Sequence, residues 1–521
     1  MWLSVGKYCG PVWEGLVFRP VRRRVSMWWK VLSVISLVNP AFALHDHAQW
    51  VLAGYDPCAE IAGKTWVLPR EVRACLSAFP VDPVVKANLV EVVNKTLDFH
   101  TSANYQIRAP PPYDTDIHED LKADLARINQ TRYGSEFDLH LDFYRAFKRV
   151  NDGHCGVYNY CYDGLYVTYV PLPLVLLTDK DGYQNVYIAP EAFSIASAEF
   201  KDEIEFWQNA LPEHLRGQLN TLSGARVYLI DGEEPFKTVN KSALMTGGYQ
   251  AFGTRQNAFF ASYQRGANDW SYLMGNFAAM AHPLVDSVEL TVQRVNYDSN
   301  DTFTVNCITF SFAWCNANPC NEIPYRSRFG SFSKNFTDLA SYRENNCVAQ
   351  NTTNGLDLYG PDALSQYETI PNPIAHFQQQ PDTNPLDARK QRVNVILDAI
   401  PLSDIELPRE LQPSLAPLNQ SYSVAHFYML NGSSTGVLAL GSFSAANFTK
   451  FGSSLLDGLT SLKELGAKNL IVDVTNNGGG YICIAHWLHR IVGSLYQRLR
   501  QFYIMCIDCW TQEYYGTSGR S

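Results

Sequence analysis

Leu470-Ile471-Val472-Asp473-Val474 runs through Thr475 into Asn476-Asn477-Gly478-Gly479-Gly480, and an apolar stretch from Tyr481 to Val492 follows. The pattern predicts a strand, a tight glycine turn and a helix. Glycines at a strand-to-helix turn let backbone N–H groups point into open space at a helix N-terminus, where they stabilise an anion such as a tetrahedral oxyanion. Phosphate would exploit the same geometry, but the turn lacks the Lys-Ser/Thr of a P-loop and the spacing of a dinucleotide fingerprint. Taken alone, a glycine triplet is also compatible with an ordinary turn that has no chemistry.

Upstream of this stretch, Val424 to Leu430 and Gly436 to Phe443 read as strands and Ser453 to Leu465 as a helix, so residues 421–492 form an alternating α/β segment. Residues 345–420 are rich in Pro, Gln, Asn and Asp and poor in periodicity, as in a linker or surface excursion. Residues 163–344 are β-rich, with strands expected at Leu165 to Leu177, Val186 to Ala189, Arg226 to Ile230 before the Asp231-Gly232 turn, and Ser287 to Asn296. Residues 44–162 carry apolar positions at helical spacing from Glu71 to Phe99, Glu119 to Ile128 and Phe137 to Val150, interrupted by Pro110-Pro111-Pro112. The fold class expected is therefore α/β multidomain, with a helical N-terminal domain.

The 521 residues are 46% hydrophobic and 18% charged, enough to build two or three domains with sizeable cores. A net charge of -9 offers no basic surface for phosphate backbones, which argues against a nucleic-acid partner. From Met27, a short basic start (Trp28-Trp29-Lys30), an apolar run from Val31 to Val38 and the small residues Ala41-Phe42-Ala43 read as a secretory signal within residues 1–43. A retained membrane anchor is the competing reading, against which stand the shortness of the run and Pro40. Secretion predicts sequons and paired cysteines. Nine sequons occur, at Asn94, Asn129, Asn240, Asn300, Asn335, Asn351, Asn419, Asn431 and Asn447. Cys58, Cys75, Cys155, Cys161, Cys307, Cys315, Cys320 and Cys347 make an even set for disulfides, with Cys58–Cys75 and Cys155–Cys161 the favoured local pairs.

A second constellation is Asn151-Asp152-Gly153-His154, where a helix ends at a glycine. That junction would hold an imidazole rigidly, as a general base requires, although most loop histidines have no such role. Three further motifs have weaker claims. Cys506-Ile507-Asp508-Cys509 has redox spacing but no positioned base, His486 and His489 lack a third metal ligand, and cleavage after Leu44 would leave His45 as a copper-type N-terminus. No cofactor or metal is called for.

Taken together and in this order, these features resemble the tail-specific or C-terminal processing serine peptidases, in the branch of the chlamydial protease-like activity factor and its fungal relatives. The resemblance is carried by Ala74-Cys75-Leu76-Ser77, Pro110-Pro111-Pro112-Tyr113, Glu136-Phe137-Asp138 leading to Asp152-Gly153-His154, Ile230-Asp231-Gly232, Thr435-Gly436-Val437 with Gly441-Ser442-Phe443, and Asp473 through Gly480. It implies a PDZ-like module around Ile230-Asp231-Gly232 and a ClpP/crotonase-like core. It also implies His154 as general base, Gly478 or Gly479 beside the oxyanion hole, and peptide-bond hydrolysis through an acyl-enzyme with no cofactor. Substrates would be extended peptides, and similar proteins occur in fungal gene clusters that mature ribosomally made peptide toxins. The family's serine lies beyond another helix and strand, whereas the tail from Gly493 to Ser521 no longer resembles the family. On that reading the core is C-terminally truncated, and the alternative is a peptide-binding relative that cuts no bond.

Overall fold

A computed structural model describes residues 55–100, 103–111, 114, 119–153, 155–157, 159, 161–163, 165–266, 270–296, 301–303, 323–330, 334–348, 405–406, 412–445 and 447–493. The architecture is mixed α/β, with short antiparallel sheets before residue 410 and a partly parallel one after it.

The chain enters through strand β1 (Trp66–Val67) and helices α1 (Pro69–Leu76) and α2 (Pro83–Leu97). The helical spacing from Glu71 to Phe99 thus resolves into two helices. Asp82 ends the gap by accepting the Val84 and Val85 N–H groups, and Pro83 sits at the first helical position, where its missing N–H costs nothing. Helices α3 (Leu121–Gln130) and α4 (Glu136–Lys148) follow. Ser135 caps α4 through the Asp138 N–H, and a left-handed Asn151 (φ 58°) turns the chain out of it. Leu121, Leu125 and Ile128 pack against Leu139, Phe143 and Phe147 to make a small helical core.

Next come β2 (Tyr166–Tyr169), β3 (Leu174–Thr178), β4 (Gln184–Ile188) and β5 (Arg226–Ile230), with helix α5 (Ala192–Glu199) between the last two. After β5, Asp231 (φ 51°) and Gly232 (φ 73°) make the expected turn into helix α6 (Pro235–Thr246). The hairpin β6 (Ser262–Arg265) and β7 (Trp270–Leu273) precedes β8 (Ala279–Met280), β9 (Ser287–Val288), β10 (Leu290–Gln293) and β11 (Asp301–Phe303). β12 (Ile323–Pro324) and β13 (Arg326–Phe329) close this region. Sheet order is β11-β10-β5-β4-β3 in one sheet and β1-β13-β2-β8 in another. They enclose the largest core among the described residues, in which Trp66 meets Phe200 and Trp207 edge to face.

Two parts of the expected excursion at 345–420 belong to the fold. Residues Arg343–Cys347 form a π-helical turn, and β14 (Ile405–Glu406) pairs with β7. The final unit is β15 (Ala425–Met429), β16 (Thr435–Leu440), helix α7 (Phe448–Glu464), β17 (Asn469–Asp473) and helix α8 (Ile482–Gly493). β15 is antiparallel to β16 and β17 is parallel to it, so α7 is a crossover helix. Close packing of α7 on the sheet depends on two glycines: a Cβ on Gly458 would lie 2.2 Å from the Phe427 ring, and one on Gly436 would lie 2.8 Å from Leu462. No helix among the described residues is long and apolar enough to cross a membrane.

Candidate active site

The parallel register that pairs Ala439 with Asp473 delivers residues 474–480 beside the end of β16. Asn476 (φ 54°), Gly479 (φ 84°) and Gly480 (φ 135°) bend the chain there. Asn477 fastens the bend at two points, donating from Nδ2 to the Leu440 carbonyl (2.8 Å) and accepting the Gly479 N–H on Oδ1 (2.8 Å). The backbone adds a short bridge: the Phe443 N–H donates to Gly479 O (2.7 Å) and the Tyr481 N–H to Phe443 O (3.1 Å). A Cβ on Gly480 would lie 2.4 Å from the Phe443 carbonyl carbon, so the bridge admits only glycine. Ser442 donates from Oγ to Gly479 O (3.0 Å) and accepts the Ser444 N–H (3.0 Å).

The structure therefore brings Gly478 and Gly479 together with Gly441-Ser442-Phe443. Both expected amides already have acceptors, Gly478 the Gly441 carbonyl at a long 3.3 Å and Gly479 the Asn477 side chain. An oxyanion bound here would have to displace these acceptors. The Gly480 N–H, two residues before α8, has no acceptor among the described residues.

The hairpin edge β6 buttresses the turn. Asn476 donates to Ser262 Oγ (2.8 Å) and to the Tyr263 carbonyl, and Gln264 Nε2 donates to Asn476 O (2.9 Å). At the next residue the approach is closer still: a Cβ on Gly441 would lie 1.9 Å from the Arg265 carbonyl oxygen. Arg265 also lies near His426, a residue with no signal in the sequence beyond its place in a strand. Burial, then the Arg265 charge, pushes the His426 imidazole down to about 4, against a hydrogen bond from Nε2 to the Ser423 carbonyl (3.0 Å). That bond puts the proton on Nε2 and leaves the Nδ1 lone pair as the basic position. His426 pairs with Ala439, which pairs with Asp473, so the three line one sheet face.

His154 lies outside the described residues, but its flanks do not. Asn151 is buried and its N–H donates to Lys148 O (3.0 Å), while the Cys155 N–H donates to Asp152 O (3.2 Å). Gly247 sits against α4 so closely that a Cβ would lie 2.3 Å from Lys148 O.

The cysteine pairing needs one correction. Cys58–Cys75 forms as expected, but Cys161 pairs with Cys347, not with Cys155. Cys155 is a buried free thiol in the helical core beside Phe143, Phe147 and Val150, whereas Cys161 belongs to a different core with Phe79 and Phe137. Burial, then the Asp152 charge, pushes the Cys155 thiol up to about 11, leaving it unreactive. Cys307, Cys315 and Cys320 lie outside the described residues, as do Asn300 and Asn351, the signal segment, His45, Cys506 and Cys509. The other seven sequon asparagines are all exposed. His486 and His489 are exposed on α8, and no group of three or more potential metal ligands occurs among the described residues.

No family model matches the chain and no curated protein matches its sequence, so the chemistry of the site carries the functional reading.

Proposed function

We propose that this chain is a secretory-pathway endopeptidase of the tail-specific serine type, acting on extended peptides such as ribosomally made precursors. His154 serves as general base, the 478–480 turn supplies the oxyanion donors, and the nucleophile is a serine that no motif within residues 1–521 marks. The observation that carries the reading is the turn itself. A parallel strand ends in three glycines that are bonded to the neighbouring strand through Asn477 and Phe443, at the N-terminus of a 12-residue helix. Of the three amides, the Gly480 N–H has no acceptor among the described residues and can meet charge developing on a carbonyl oxygen with little reorganisation, while those of Gly478 and Gly479 must first give up their present acceptors. The exposed sequon asparagines and the two disulfides agree with export and N-glycosylation. The core is of the ClpP/crotonase type and the five-stranded sheet with α6 is the PDZ-like module.

A second reading is supported by the Gly478 and Gly479 amides, which are both engaged, and by Ser442, whose hydroxyl both donates and accepts within the turn. A protein so arranged would capture peptides without cutting them. The deciding experiment incubates the secreted full-length chain with a mixed peptide library and, separately, with a fluorophosphonate probe. Cleavage and labelling that disappear in His154→Ala support the peptidase. Peptide retention with neither supports the binding protein.

A further inference from the structure

The segment that follows His154 is folded by residue 159 into a turn in which every polar atom of Asn159 is used. Its N–H donates to Asp163 Oδ2 (2.7 Å), and its carbonyl accepts from the Tyr162 (3.0 Å) and Asp163 (2.8 Å) N–H groups. Its side-chain Oδ1 accepts the Cys161 N–H (2.9 Å), and its Nδ2 meets His140 Nε2 at 2.8 Å. A backbone N–H can only donate, so the Cys161 contact fixes which end of the amide is oxygen and turns the NH2 end towards the imidazole. His140 Nε2 must then accept, which requires the neutral ring with its proton on Nδ1.

We propose that His140 and Asn159 form an acid-sensitive latch on the segment that follows His154. Protonation of His140 would set an N–H against the Asn159 NH2. Rotating the amide to relieve that clash would present NH2 to the Cys161 N–H, so no orientation of Asn159 satisfies both neighbours. The same turn is tied to other elements, and these spread the effect of its loss: Cys161 is bonded to Cys347, and Asp163 Oδ1 pairs with His282 Nε2 (2.7 Å).

The charged groups facing His140 come from three elements. On its own helix, Glu136 Oε1 lies 3.8 Å away, which favours the imidazolium, but Glu136 Oε2 already accepts from Arg343 Nη1 (2.8 Å) of the π-helical turn. Asp163 favours the charged ring and Arg343 opposes it. The Tyr162 ring lies against the imidazole, tilted by 35° with centroids 5.4 Å apart. Burial outweighs the acidic neighbours, so the ring is held below its ordinary value and stays neutral near pH 7.

Cys155, buried and free on the same segment, reports opening, with the exposed Cys483 as internal reference. Because burial holds the His140 ring below its ordinary value, the full-length chain is treated with a dithiodipyridine reagent at about pH 7.5 and then stepwise down to about pH 4, well below the ordinary imidazole value, and labelled peptides are quantified. The expected result is a several-fold rise in the Cys155-to-Cys483 labelling ratio at the lower pH, absent in His140→Gln, whose amide oxygen accepts from Asn159 without titrating. In Asn159→Asp a carboxylate replaces the NH2 and welcomes the imidazolium, so the ratio should fall on acidification. A ratio in the wild-type chain that does not respond to pH, or an Asn159→Asp variant that opens in acid as the wild type does, overturns the proposal. The Asn159→Asp arm decides the matter if His140→Gln does not fold.

Discussion

At the scale of single residues, the glycine turn depends on what its neighbours cannot tolerate. Gly441→Ala would drive a methyl into the Arg265 carbonyl. Because a backbone atom cannot swing aside, a loss of about 1–3 kcal/mol is expected from overpacking, measurable as a lower midpoint in urea. Asn477→Ala should cost a similar amount, about 1–3 kcal/mol, because the Leu440 carbonyl and the Gly479 N–H would both lose their partner. The freed Gly479 amide would also become available to an oxyanion. His426 makes a pH prediction whose sign follows from its depressed folded value. Between about 6.5 and about 4 the unfolded chain binds the proton and the folded chain does not, so stability falls as pH drops through that window. His426→Gln should flatten the fall in thermal midpoint. None of this could be read from the sequence. Asn477 and Gly441 stood in a visible motif, but their contacts depend on strands far away in the chain, and His426 looked like any strand residue.

At the scale of elements, strands with strong periodicity emerge where the sequence placed them, as at Arg226–Ile230 and Asn469–Asp473, while the helix expected from Ser453 begins five residues earlier, at Phe448, where the Asn447 cap starts it. What escaped was short or split. Trp66–Val67 is a two-residue strand that exists because β13 pairs with it, and the β6–β7 hairpin carries Arg and Gln where strand patterns expect apolar residues. The run from Glu71 to Phe99 looked continuous because two amphipathic helices can share a phase across a proline gap. At α7, Asn447 accepts the Lys450 N–H through Oδ1 while being the asparagine of a sequon. Asn447→Ala should therefore remove both the cap, worth about 1 kcal/mol, and any glycan. Thr449→Ala should remove only the glycan. Comparing the mass and thermal midpoint of the two variants separates these contributions.

At the scale of the whole molecule, Cys161–Cys347 joins the turn after the helical region to the π-helical turn across 186 residues. Removing it with Cys161→Ser should lower stability by about 2–5 kcal/mol, more than Cys58→Ser, whose bridge spans only 17 residues. Guanidinium titration of the two variants tests the order. Local spacing favoured Cys155 as the partner, because a sequence displays separation along the chain and not the division between cores. The same bridge bears on biosynthesis. At roughly 5–20 residues per second, the ribosome needs about 10–40 s to make the stretch between Cys161 and its partner. Throughout that interval the nascent chain carries Cys155 six positions from an unpaired Cys161. In an oxidising compartment a premature bond between those two would compete with the native pairing, and it would have to be exchanged before the helical core could take Cys155 back. Yield of the native protein should therefore depend on a disulfide isomerase acting after Cys347 has emerged.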